Sequence, residues 1–142
     1  MRKGFSLTEV TILLVVVSLL LSVGLPRLRP ALDRMAVNRA AVEITTALAV
    51  ARAAAVSWAT RARVRVAADT LRIDRLEGDE WVPRWRRPGP ADLGVQLEVS
   101  NDEVVFGPTG LGWGASNTKI VLRRGSQVET ITTSRLGRVK RW

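Results

Sequence analysis

Glu9 is the single charged residue between Phe5 and Leu25, in an otherwise apolar run. A carboxylate costs roughly 2–3 kcal/mol at the middle of a bilayer and less near its surface. Two accounts fit. Either Glu9 sits shallow, reaching the headgroups or taking up a proton, or it has a partner within the membrane. A cut between Gly4 and Phe5 would create an α-amine four residues before Glu9, and in a helical array the amine of one subunit could pair with Glu9 of its neighbour. A second cluster with chemical potential lies at the other end. From Lys119 to Trp142 there are seven basic residues against one acid, Glu129, a balance of +6. Arg138, Lys140 and Arg141 are the candidate phosphate contacts there. Trp142 could stack on an exposed base, a contact worth ~1–3 kcal/mol. The plainer account is a solvated strand end with Trp142 packed on the sheet or frayed. A third segment, Gly107-Pro108-Thr109-Gly110-Leu111-Gly112-Trp113-Gly114, lacks the Gly-Lys-Ser/Thr ending of a phosphate loop and has no strong helix pattern after it. It reads as a tight β-connection whose glycines supply positive φ.

The composition narrows the chemistry. Among 142 residues there is no His, Cys or Tyr, which removes Ser-His-Asp and Cys-His nucleophiles, imidazole or thiolate zinc sites and disulfides. A carboxylate or Lys/Arg enzyme stays open; no catalytic residue, metal ligand or cofactor site is assigned. The absence of Cys says nothing about compartment. The net charge of +9, carried by 22 basic residues of which all but Lys3, Lys119 and Lys140 are Arg, favours polyanionic partners, although a high-GC genome also enriches Arg and Ala.

These groups must be positioned by a helix and a sheet. Phe5 to Leu25 would span about 31 Å as a helix, close to the hydrocarbon thickness of a bilayer. It reads as a plain transmembrane anchor with Arg2 and Lys3 on the cytoplasmic side, or as a signal peptide with Val10 to Leu21 as its apolar region and cleavage after Ser22-Val23-Gly24. A third reading must give Glu9 a role. Pro26 and Pro30 should bend or loosen the helix that follows. Beyond them Val37, Ala41, Ile44, Leu48, Ala51, Ala55 and Trp58 recur at helical spacing and form a core stripe. From Thr60 the period becomes two. Ala62, Val64 and Val66 alternate with Arg61, Arg63 and Arg65, and Leu71 and Ile73 alternate with Thr70, Arg72 and Asp74. The Arg stripe reads as the wet face of a sheet able to extend a basic surface. Further strands are expected near Glu80–Trp85, Val95–Val99, Val104–Phe106, Lys119–Arg123, Gln127–Thr132 and Arg138–Arg141. Pro83 places its strand at an edge or interrupts it, and Arg86-Arg87-Pro88-Gly89-Pro90 reads as a breaker.

Gly4-Phe5-Ser6-Leu7-Thr8-Glu9-Val10, after a short basic leader and before the apolar run, resembles the type IV prepilin signature. Phe106, Pro108 and Gly110, followed by two β-type runs and Gly137-Arg138-Val139-Lys140, resemble the GspH/FimT branch of minor pilins and pseudopilins; the segment from about Arg61 to Asp102 matches only in strand-like character. The resemblance implies an α+β pilin-like fold, with a long N-terminal transmembrane helix packed on a C-terminal antiparallel β-sheet domain. It implies a leader at 1–4, a transmembrane or filament-core helix at 5–25, the second half of the helix at 26–60, and a β-domain with its basic tail at 61–142. It further implies cleavage after Gly4 by a prepilin peptidase, N-methylation of Phe5, docking through Glu9 and a helix kink at Pro26.

By the same resemblance the chain is a minor pilin or type II secretion pseudopilin, not an enzyme and without cofactor. It would be anchored in a bacterial inner membrane, single-pass with its globular part in the periplasm, and assembled with other pilins or pseudopilins. FimT-like members are associated with DNA uptake through a Gly-Arg-x-Arg tail. Lys140 departs from that pattern, keeping the charge but losing the bidentate fork. The alternative is a signal-peptide-cleaved secreted binding protein, or an enzyme without His or Cys. Loss of Arg2 and Lys3 with the leader lowers the net charge from +9 to +7.

Overall fold

A computed structural model describes residues 6–114 and 117–142, apart from the side chains at 25–27. The chain divides into two compact units, Met1–Leu32 and Asp33–Trp142. Helix α1 runs from Leu7 to Ser57 and contributes to both. Its helical backbone continues through Pro26 and Pro30.

In the first unit, apolar side chains point outward all round the helix; Leu13, Leu14, Leu19 and Leu20 are each at least 60% exposed. A helix apolar on every side needs lipid or other helices around it. The stretch Leu7–Gly24 is long and apolar enough to cross a membrane. Three of its hydroxyls turn back onto the helix, as a hydrocarbon environment favours: Thr11 donates to Leu7 O at 2.8 Å, Ser18 to Leu14 O at 2.7 Å and Ser22 to Leu19 O at 2.8 Å.

In the second unit, α1 buries one face. The expected stripe of Val37, Ala41, Ile44, Leu48, Ala51 and Ala55 is buried, joined by Ala40 and Ala47. The alanines on that face are part of one core with the apolar residues of the strands. The helix ends at Ser57, so Trp58, expected to close the stripe, lies just beyond it and is only partly buried. Ala59 takes φ 50° and Thr60 N–H donates to Ala55 O at 3.3 Å, a left-handed closure of the last turn.

Among the described residues eight strands follow: β1 Ala62–Val66, β2 Thr70–Glu77, β3 Glu80–Pro88, β4 Gln96–Val99, β5 Glu103–Phe106, β6 Thr118–Arg124, β7 Gln127–Thr133 and β8 Val139–Arg141. They form two antiparallel four-stranded sheets, ordered β3-β2-β1-β5 and β4-β6-β7-β8. Val64, Val66, Leu71, Ile73, Val104 and Phe106 from the first sheet share one core with Ile120, Leu122 and Ile131 from the second and with the helix. Pro83 lies on edge strand β3 opposite Asp74, where the register shifts between Ile73 and Asp74, as its missing donor requires. The strand continues past its expected end at Trp85 because Arg86, Arg87 and Pro88 pair with Arg72, Leu71 and Thr70; the break comes at Gly89-Pro90.

Candidate functional site

Four of the residues singled out from sequence fall at the N-terminal end. Gly4 and Phe5 lie outside the described residues, as does the side chain of Pro26. Glu9 occupies the first turn of α1, where the helix dipole favours a carboxylate. Its own N–H donates to Ser6 O at 3.0 Å. Among the described residues no side chain pairs with its carboxylate.

The two C-terminal motifs meet. Gly107 to Gly110 form a tight turn, Gly110 N–H donating to Gly107 O at 2.9 Å with φ 75° at Gly110. Gly137, 27 residues later, has φ 71°; a Cβ there would lie 3.2 Å from Gly110 O and 3.5 Å from both Arg52 Cζ and Phe106 Cε1. Arg52 Nη1 donates to Gly137 O at 3.4 Å, and Gly112 N–H to Arg135 O at 2.8 Å. Phe106 is buried under this corner. Both glycines are therefore required by close approach and by positive φ. The glycine-rich segment is a packing device joining the β5–β6 connection to the turn before β8, as expected of a β-connection.

The candidate phosphate contacts separate. Along β8 side chains alternate between faces, so Lys140 and Arg141 point opposite ways. Arg141 turns inward, its Nη2 donating to Asn38 Oδ1 on α1 at 2.6 Å and its Nε to Glu129. The outer face carries Lys140, whose Nζ lies 4.3 Å from the centroid of the Trp142 ring. Trp142 is 71% exposed. Its backbone nevertheless pairs with Thr130 in both directions, at 2.9 and 3.2 Å, so the tail is neither frayed nor packed down through its ring. Thr132 stands opposite Lys119 on one side and Lys140 on the other, placing both lysines in one outward row. Among the described residues no carboxylate lies within ion-pair distance of Lys119, Arg135, Arg138 or Lys140, whereas Arg123 pairs with Glu98 and Arg124 with Asp33. Lys119 was counted in the basic tail but not singled out; only the strand register shows that it flanks Lys140.

The Arg stripe of β1, expected to be the wet face of a sheet, meets acids instead of open solvent. It is not a plain wet face but an ion-pair network. Asp74 is fully buried, with Arg63 Nη2 at 2.7 Å and Arg72 Nη2 at 3.0 Å. Glu103 takes Arg65 and, at 3.3 Å, Arg63. The Arg65 hydrogen bond holds the Glu103 carboxyl below the usual carboxylate range. Arg61 and Arg63 also cover Trp113 and Trp81, at 3.9 and 4.5 Å from the ring centroids. Asp74 was visible in sequence only as an alternating polar residue; nothing in the period marked it as buried.

No protein-family model and no curated protein matches the chain in sequence. Solved structures do match it. The type IV minor pilin FimU of Pseudomonas aeruginosa strain PAO1, in a crystal of space group P21, is similar with a TM-score of 0.65 at 17% identity, over 76% of this chain and 89% of that one. The same protein in space group P65 is similar with a TM-score of 0.61 at 16% identity, over 74% and 91%. The chain has the pilin fold. Within that fold the expected α+β architecture is present: a long N-terminal helix, apolar at its start, and antiparallel sheets beneath its second half.

Proposed function

We propose that the chain is a minor pilin or pseudopilin, a structural subunit of a filament assembled at the bacterial inner membrane, in a type IV pilus or a type II secretion machine. The observation that carries this reading is a pilin fold whose exposed apolar helix begins with one carboxylate that has no partner among the described residues. Prepilin peptidase cleaves after Gly4, leaving residues 1–4 behind, and Phe5 is N-methylated. Glu9 then docks against the α-amine of a neighbouring subunit, and residues 5–25 pass from membrane to filament core. Residues 26–60 continue the helix to Ser57 and, with Pro26 easing its course, lead into the periplasmic β-domain at 61–142. Such a subunit works by assembly, with other pilins as partners, and needs neither cofactor nor catalytic residue.

N-terminal mass spectrometry of the processed protein tests the reading. An N-methylated Phe5 terminus supports it, and a chain starting at Leu25 overturns it in favour of a secreted protein.

DNA contact is the second reading, favoured by the outward row of Lys119 and Lys140 beside Trp142, which meets no carboxylate among the described residues. Arg138 is exposed as well, at the turn before β8, where it borders a groove along α1 with Leu48 and Arg52. Arg141, committed to Glu129 and Asn38, contributes by holding β8 in place. Binding of this kind is phosphate-mediated and non-specific, so it weakens steeply with salt.

A further inference from the structure

On the outer face of the first sheet, Arg65 stands directly opposite Arg72 on β2, and Arg72 directly opposite Arg86 on β3. Like charges facing each other on neighbouring strands destabilise a sheet unless something answers them. Two carboxylates, Asp74 and Glu103, answer Arg63, Arg65 and Arg72. They do not reach Arg86, whose one side-chain hydrogen bond among the described residues is a long contact from Nη2 to the Thr70 hydroxyl at 3.5 Å. Among the described residues no hydrogen bond occupies Nη1 of Arg65 or of Arg72, because Glu103 takes Nε and Nη2 of Arg65 and Asp74 lies against Nε and Nη2 of Arg72. Arg65, Arg72 and Arg86, with Ala67, Asp69 and Thr70, line a cavity of about 220 Å³. Asp69 is the one acid among these lining residues, and it forms no ion pair with the arginines around it.

We propose that this cavity is a phosphate-binding site, in which Arg86, the free Nη1 groups of Arg65 and Arg72 and the Thr70 hydroxyl donate to the oxygens of a phosphate group. The planar donor forks of guanidinium match phosphate oxygens, and a dianion facing three opposed arginines relieves their mutual repulsion. Asp69 acts in the opposite direction and limits affinity. The site is independent of the proposed filament role and lies on the other sheet from Lys119 and Lys140.

The test uses the full-length chain in uncharged detergent micelles, with arginine side-chain N–H signals followed by NMR during titration with inorganic phosphate at constant ionic strength. The expected result is a saturable shift of the Arg86 signal that chloride does not reproduce. Arg86→Gln should weaken phosphate binding about tenfold, the loss of one charge-assisted interaction. Asp69→Asn should strengthen it by roughly two- to five-fold, the effect of removing one exposed like charge. Both positions are exposed, and unchanged circular dichroism of each variant verifies the fold. A short-chain phosphatidic acid, kept below its micelle concentration, forms the second arm. Equal binding of the two probes assigns a general phosphate site, and much tighter binding of the lipid assigns a headgroup site. A linear, non-saturating response, or identical titrations in the parent and Arg86→Gln, would overturn the proposal.

Discussion

The outer faces of the two sheets are both rich in basic residues, yet they spend that charge differently. On the first, Arg63, Arg65 and Arg72 close on Asp74 and Glu103, and Arg61 and Arg63 cover tryptophan rings. On the second, Lys119 and Lys140 stand in one row with no carboxylate in reach among the described residues. Basic residues that meet a buried acid become part of the fold, and those that meet only solvent stay available to a partner. A net charge counts both alike. Here much of the arginine excess on the first sheet is structural, while the smaller lysine pair on the second is the freer surface.

The largest expected effect breaks the first face. Asp74→Ala removes the fully buried carboxylate shared by Arg63 and Arg72, leaving Arg63, only 11% exposed, with its longer contact to Glu103 alone, and should cost about 3 kcal/mol in chemical unfolding of the full chain in detergent. Lys140→Ala on the second face should leave that stability within about 0.5 kcal/mol. If Asp74→Ala proves as mild as Lys140→Ala, the contrast between the faces is wrong.

The next test divides neighbours on β8. Arg141→Ala removes the link to Glu129 and Asn38 and should destabilise by about 1 kcal/mol. Any DNA binding measured at low salt should then fall mainly through loss of fold. Lys140→Ala and Lys119→Ala should each lower the slope of log affinity against log salt by about one, with stability intact. Equal effects of Arg141→Ala and Lys140→Ala on both readouts would erase the distinction drawn from their opposite orientation.

The smallest effect is in pH. Because Arg65 lowers the Glu103 carboxyl below its ordinary value, this pair stabilises the fold above the unfolded-state value of about 4.3 and loses that contribution as pH falls through the lowered one. Glu103 is 33% exposed, so solvent screening keeps the contribution to about 1 kcal/mol or less. Stability of Glu103→Gln measured between about pH 5 and pH 3 should therefore fall less steeply than that of the parent, while Lys140→Ala should leave the acid limb unchanged. Parallel acid limbs for Glu103→Gln and the parent would remove Glu103 from the network.

Most of the architecture was legible in the residues. The apolar spacing from Val37 to Ala55 marked the buried helix face, and the change to period two at Thr60 marked the strands, because both patterns follow from local backbone geometry. Alternation could also have separated Lys140 from Arg141, since adjacent strand residues face opposite ways. The pairing of Lys119 with Lys140 could not be read that way, because it depends on the register of β6, β7 and β8. Nor could the meeting of Gly110 with Gly137, which depends on how two distant connections pack against Arg52.

The sequence alone determined the membrane-length helix, the place of one carboxylate within it, the approximate places of the strands and an edge or interruption at Pro83. All of these depend on side-chain type and short-range period. Only the tertiary structure decided which charges face acids and which face water, and which arginines oppose one another across strands. Coulomb interactions depend on distance and burial in space, and separation along the chain records neither.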